Sequence, residues 1–172
     1  MPRVFVAVGS NLDPEENVRR ALRLLDGEIG ILGVSTFYRT PALGRPEDPS
    51  YVNGVVEAGD SLGPRGLKTL LQRTEQALGR ARSVDRYAPR PMDLDLLLYG
   101  VQVSSSGGLM LPHPDIRERR FVALPLLELA PDLILPDSST PLRTVVGSLP
   151  PHPMEPLHDF TTRLRTETGH GP

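Results

Sequence analysis

The chain predicts an α+β fold with a largely antiparallel sheet. Strand and helix patterns interleave along it, yet the connections around residues 28–33 and 100–103 are too short for the crossovers a parallel sheet needs. No internal repeat is visible, and 172 residues are enough for one domain that buries roughly 70% of its unfolded surface.

Val4 to Val8 is an apolar run stopped by Gly9-Ser10-Asn11, which reads as a buried strand. Asp13-Pro14-Glu15-Glu16 then offers an N-cap, a first-turn proline and a capping-box glutamate. Val18, Ala21, Leu22 and Leu25 follow on one helical face, so a helix is expected over about 14–26. Gly30 to Gly33 reads as a turn and Val34 to Tyr38 as the second strand. Thr40 to Pro49 holds three prolines and a glycine and reads as a loop. Tyr51 to Ala58 returns to strand character. Pro64 opens a helix with Leu67, Leu70, Leu71, Thr74 and Leu78 on one face, and Gly79 ends it. Met92 to Tyr99 alternates as a strand, Val101 to Val103 reads as a short edge strand, and Ser104 to Gly108 as a flexible link. Phe121 to Leu129 reads as a buried helix with Pro125 in its first turn or at a kink. The expected domain is 1–149; residues 150–172, rich in proline and charge, are expected to be a mobile tail.

Composition narrows the function. A net charge of −2 excludes a polyelectrolyte binder, so any basic surface must be local. Lysine occurs once, at Lys68, among 19 basic residues, so arginine placement is more informative than arginine number. The absence of cysteine removes disulfides and thiolate metal sites. No apolar run approaches the ~20 residues that span a membrane, and the expectation is a cytoplasmic protein.

The densest chemistry lies between Arg80 and Asp95. Arg80, Arg82, Arg86 and Arg90 sit in a Pro- and Ser-containing loop leading directly into Asp93 and Asp95. Guanidinium forks match phosphate oxygens, and hard cations such as Mg2+ favour carboxylates together with a substrate's own phosphates. On a strand, positions i and i+2 share a face about 6.6 Å apart. Two carboxylates at that distance repel by roughly 2.5 kcal/mol at an effective dielectric near 20. Solvation of a polar strand face or cations between them removes that cost; with the arginines immediately upstream the cation reading is favoured, and two metal ions about 3.5–4 Å apart fit the frame.

A second constellation joins the rigid loop Thr40-Pro41-Ala42-Leu43-Gly44 to Tyr51 and Asn53. Its backbone groups and the Asn53 amide suit the edge of a flat, nitrogen-rich heterocycle, with Tyr87 and Phe121 as candidate stacking rings. His113, constrained between two prolines, could reach a phosphate, though a lone histidine is more often structural. No G-x-x-x-x-G-K-[ST] pattern occurs, which excludes a Walker-type ATPase.

In this order, VAVGSNL, FYRTPALG, YVNGVV, QRTE, GRARSVDRYAPRPMDLDLLLYG, LPHPDIRERRF and PLLELAPDL resemble the 6-hydroxymethyl-7,8-dihydropterin pyrophosphokinase family of folate biosynthesis. The resemblance spans about Val4 to Pro136. It implies a ferredoxin-like three-layer α/β/α fold and transfer of the β,γ-diphosphate of ATP to the pterin's hydroxymethyl oxygen; separately, a monomer without nucleic-acid or membrane partners is expected. By position it implies two Mg2+ ions on Asp93 and Asp95. Arg80, Arg90 and His113 would then contact the ATP phosphates, with Arg82 in the catalytic loop and Arg119 near the nucleotide. Gln72, Glu75 and Leu96 would line the nucleotide pocket. Thr40, Ala42, Leu43, Tyr51, Asn53 and Phe121 would line the pterin pocket, with Tyr87 stacking from the loop. Arg80, Arg82, Arg90, Asp95 and His113 are thus the implied catalytic set. Tyr87, Pro114, Ala42 and Gly108 depart from the residues usual at those positions, which bears on rate and loop closure rather than on reaction type.

Overall fold

A computed structural model describes residues 1–171 except 43, 46, 60–61 and 80–89. Strand β1 (Val4–Ser10) leads into helix α1 (Pro14–Ile29), followed by β2 (Ile31–Val34), β3 (Tyr38–Thr40) and β4 (Tyr51–Ala58). Helix α2 (Gly63–Ala77) precedes β5 (Asp93–Tyr99), and a hairpin of β6 (Ser104–Ser106) and β7 (Leu109–Leu111) follows. Helices α3 (Asp115–Glu118) and α4 (Arg120–Leu129), the short pair β8 (Ile134–Leu135) and β9 (Thr140–Pro141), and α5 (Leu142–Ser148) come next. The chain ends in β10 (Glu155–Pro156) and α6 (His158–Thr168).

The architecture is mixed helix and antiparallel sheet, as expected. The main sheet runs β10-β3-β4-β1-β5, with β2 also paired to β4, and each of its pairings is antiparallel. Because β1 and β2 both run against β4, they are parallel to each other, and α1 makes the crossover. Alternation along β1 sends Val4, Val6 and Val8 into a core with α1, α2 and α6. Phe5 enters a second core with Val55, Leu98 and the apolar faces of α3, α4 and α5. The sheet is therefore covered on both faces.

Several local expectations change. The second strand is not Val34 to Tyr38: β2 begins at Ile31, where a turn was expected, and the chain leaves the sheet before β3. Ser35 explains the interruption. Its N–H donates to the Val55 carbonyl at 3.0 Å and its hydroxyl accepts the Val55 N–H at 2.9 Å, while Phe37 turns into the core. At the start of α1, Asp13 makes no side-chain cap bond; the Asn17 amide instead donates to the Leu12 carbonyl at 2.6 Å. Val101 and Val103 are exposed and belong to no strand. The segment read as a flexible link holds β6 and the two-residue turn Gly107-Gly108, whose φ values of 66° and 71° suit a tight hairpin. Pro125 is the sixth residue of α4 rather than in its first turn, so it cannot donate to the Phe121 carbonyl.

The largest correction concerns residues 150–172. They do not form a loose tail: β10 extends the sheet against β3, and α6 buries Phe160, Thr161 and Leu164. Phe160 meets Phe37 edge-on at 6.0 Å between ring centres. Arg165 donates to the Val34 carbonyl at 3.0 Å, and the Val34 N–H donates to the Gly171 carbonyl. Leu157, Phe160, Thr161 and Leu164 carry the helical spacing that a proline- and charge-rich background obscures. Among the described residues, no helix is long and apolar enough to cross a membrane.

Candidate active site

The site lies where the second core stops. Helix α4 packs over the Phe5, Val55 and Leu98 region of the sheet, and beyond it the same face turns polar. Register places Asn53, Gly9 and Asp93 in one row across β4, β1 and β5, and Val55, Ala7 and Asp95 in the next. Small residues in the central strand leave the floor open between the amide on one side and the carboxylates on the other. A bulge opposite Phe5 and Val6 then shifts the β5 alternation, so that Leu97 and Leu98 both enter the second core.

Gly9 is set by close approach. A Cβ at this position would stand 2.5 Å from Asn53 Oδ1. Asn53 in turn donates from Nδ2 to Thr40 Oγ1 at 2.8 Å, which fixes the direction of its amide. Asn11, buried at the end of β1, accepts the Arg90 N–H on Oδ1 at 2.7 Å and donates its own N–H to the Arg90 carbonyl at 3.1 Å. This pair of bonds anchors the chain just before β5 and brings Arg90 Nη1 to 3.5 Å from Asp93 Oδ2.

His113 is held over β5 by its N–H, which donates to the Leu97 carbonyl at 2.9 Å. The Asp115 N–H donates to His113 Nδ1 at 3.1 Å, so a neutral imidazole carries its proton on Nε2. That nitrogen lies 3.8 Å from Asp95 Oδ1. Ligand atoms of Asp95, His113 and Asp115 lie within 4.8 Å of one another. With Nδ1 accepting and Nε2 protonated, His113 faces this cluster as a donor, and the carboxylates are the groups suited to a divalent metal. Asp93, the other predicted ligand, shares the strand face one row away.

Two cavities meet at these carboxylates. The first, about 240 Å³, is lined by Thr40, Ala42, Tyr51, Asn53 and Phe121, together with Gly9 and Arg119. The second, about 410 Å³, is lined by Gln72, Glu75, Leu96 and His113, with Lys68 and Met110 further along. Arg90, Asp93, Asp95 and Asp115 line both. Glu75 is buried and accepts the Leu94 N–H at 3.2 Å, tying α2 to β5. The structure thus separates the residues expected around the heterocycle from those expected around the nucleotide. Two residues expected near the nucleotide depart from this division: Arg90 lines both cavities, and Arg119 lines the first. Arg80, Arg82, Leu43 and Tyr87 lie outside the described residues.

Four contributors were not singled out from sequence. Gly9 and Asn11 act through cross-strand register, which no local pattern displays. Asp115 stands two residues after His113 and was legible as part of the same segment. His152, from the region expected to be a tail, packs on Phe121 with ring centres 5.4 Å apart. Its Nε2 is buried without a hydrogen-bond partner among the described residues. Burial first, and the Arg119 charge second, hold its pKa below the ordinary value of 6.5.

Comparison with known proteins decides the family. The model of the 7,8-dihydro-6-hydroxymethylpterin-pyrophosphokinase family matches residues 5–131. The chain belongs to this family. A Haemophilus influenzae 2-amino-4-hydroxy-6-hydroxymethyldihydropteridine pyrophosphokinase is 39% identical over 141 residues, covering 80% of this chain and 88% of its own. The Pseudomonas aeruginosa protein of the same name is 42% identical over 138 residues, covering 78% and 85%. A crystal structure of a Plasmodium falciparum HPPK-DHPS triple mutant with pteroate superposes with a TM-score of 0.63 at 9% identity, a likeness of fold. It covers 96% of this chain, which spans 44% of the length of that larger protein. The family match takes in both cavities and the carboxylates between them, and ends before β10 and α6.

Proposed function

We propose that this pyrophosphokinase-family chain transfers the β,γ-diphosphate of ATP to the hydroxymethyl oxygen of 6-hydroxymethyl-7,8-dihydropterin, releasing AMP, as a step of folate biosynthesis. The observation that carries this reading is the wall of Arg90, Asp93, Asp95 and Asp115 common to the two cavities. A transfer between two bound substrates needs such a boundary, with charge neutralisation where they meet.

In this reading the first cavity takes the pterin. Asn53, oriented by Thr40, addresses the ring edge, Tyr51 and Phe121 supply apolar faces, and Ala42 closes one side. Leu43 and Tyr87 join them by sequence position. The second cavity takes ATP, with Gln72, Glu75 and Leu96 along the nucleotide and His113 and Arg90 toward its phosphates. Arg80 and Arg82 are assigned to the phosphates by sequence position, and Arg119 meets the transferred group from the pterin side.

Asp93 and Asp95 would hold two Mg2+ ions, with His113 and Asp115 beside Asp95. Bound there, the metal neutralises phosphoryl oxygens and acidifies a hydroxyl it contacts. In the transfer, the hydroxymethyl oxygen bonds to the β-phosphorus, and the bond from that phosphorus to the oxygen bridging to the α-phosphate breaks. The electron pair leaves with AMP, and the hydroxyl proton is released. Arg90, held by Asn11, stabilises negative charge on the phosphates without reorganising during the step.

The strand order and the α1 crossover support a ferredoxin-like three-layer fold as the scaffold, with β10 and α6 packed onto it as part of the same unit. We further place the protein in the cytoplasm as a monomer; its modest charge and lack of cysteine support the compartment. The test is a product assay with ATP, Mg2+ and the hydroxymethyl pterin. Equimolar AMP and pterin diphosphate are expected; no pterin-dependent AMP would overturn the function.

A further inference from the structure

We propose that Lys68 binds the nucleoside end of ATP, donating to acceptors of the ribose or base rather than to the transferred phosphates. The inference rests on reading the second cavity as the nucleotide site. Lys68, Leu71, Gln72 and Glu75 all line that cavity, spaced three, four and seven residues apart, so they form one stripe of α2. Glu75 marks the end of the stripe nearest the carboxylates, because its side chain accepts the N–H of Leu94, between Asp93 and Asp95. Lys68 comes seven residues earlier, about 10 Å along the helix axis at 1.5 Å per residue. A polyphosphate anchored at the aspartates therefore directs its nucleoside toward Lys68.

The surroundings of Lys68 suit a donor that changes partners. Its ammonium donates to the carbonyl of Gly108, in the β6–β7 turn on the opposite wall. One carbonyl occupies one of three N–H groups, which leaves donors for a ligand. Gly108 adopts a φ of 71° that the tight turn requires, and this turn presents its carbonyl to the ammonium. Lysine is also the exception in a chain whose other 18 basic residues are arginine. A compact, rotatable ammonium reaches single acceptors such as hydroxyls or ring nitrogens, where a planar fork suits paired phosphate oxygens.

Calorimetry on the full chain tests this with three probes: AMP, an unreactive ATP analogue with Mg2+, and inorganic tripolyphosphate with Mg2+. Lys68→Met is expected to weaken AMP and the ATP analogue about five- to twenty-fold while leaving tripolyphosphate within about twofold; Lys68→Arg is expected to recover part of the loss. Unchanged AMP affinity in Lys68→Met would overturn the assignment, and so would an equal loss for tripolyphosphate. A wild-type chain that binds no ATP analogue would instead overturn the nucleotide reading of the cavity, and this inference with it. Because the chain has one lysine, amine acetylation followed by mass spectrometry gives a second readout on the unmutated protein. AMP is expected to protect Lys68 while the N-terminal amine stays reactive, and labelling of Lys68 undiminished by saturating AMP would contradict the proposal.

Discussion

The two cavities differ in how their walls are held. The first is built on the sheet: Asn53 is fixed by a hydrogen bond to Thr40 and by the close approach of Gly9, and Phe121 is backed by His152. The second is built from a helix stripe facing a hairpin turn, and Lys68 spans it by a bond to a backbone carbonyl. Strand register tolerates little displacement, whereas a long side chain across a groove adapts. The comparison teaches that the two cavities combine a rigid, register-held half and an adjustable half around common carboxylates, and on the proposed reading the first would discriminate the heterocycle and the second accommodate the nucleotide.

The largest expected effect comes from the shared wall. Asp95→Ala should lower turnover by about a thousandfold or more, equivalent to roughly 4 kcal/mol, with little change in melting temperature. A variant that lost only one substrate's binding would break the claim that both cavities depend on this residue. Arg90→Ala should cost roughly 2–4 kcal/mol of transition-state stabilisation, measured as kcat/KM. Asn11→Ala should reproduce part of that loss, because Asn11 holds the Arg90 backbone. A normal kcat/KM in both would remove Arg90 from the site.

Gly9→Ala sharpens the contrast between the halves. The added methyl would meet Asn53 Oδ1 at 2.5 Å, so KM for the pterin should rise about tenfold while KM for ATP stays within about twofold. Equal changes in both constants would show that the first cavity is not the separate, rigid unit described. His152→Ala should have a smaller effect, about threefold to tenfold on the pterin KM, and His152→Phe should restore most of it by keeping a ring against Phe121.

His152 also predicts a pH dependence of stability. Its folded pKa is lowered, so the unfolded chain takes up the proton more readily, and acid favours unfolding. The contribution is complete above the ordinary value of 6.5 and is lost as pH falls from there through the folded pKa. Melting temperature should therefore fall more between about pH 7 and 5 in the wild type than in His152→Phe; parallel curves would contradict the assignment.

Much of this was legible in the sequence because the signals were local. The alternation of β4 and β5, the helical stripes of α1 and α2, and the acidic pair beside Arg90 each lie within a few residues. What escaped was long-range or masked by composition. The break between β2 and β3 depends on Ser35 replacing strand pairing with hydrogen bonds to Val55, twenty residues away. Gly9 and Asn11 read as a simple strand stop until register sets them against Asn53 and Arg90. The C-terminal helix was discounted because Phe160 and Leu164 sit among charged residues, although their partners Phe37 and Leu157 complete an apolar seam.

The most direct test of the shared wall is a crystal grown with Mn2+ and an unreactive ATP analogue, with the metal located by its anomalous signal. Two peaks are expected within about 2.2 Å of Asp93 and Asp95 oxygens, bridging to phosphate oxygens at the junction of the two cavities. Metal bound with neither aspartate in contact would contradict the account.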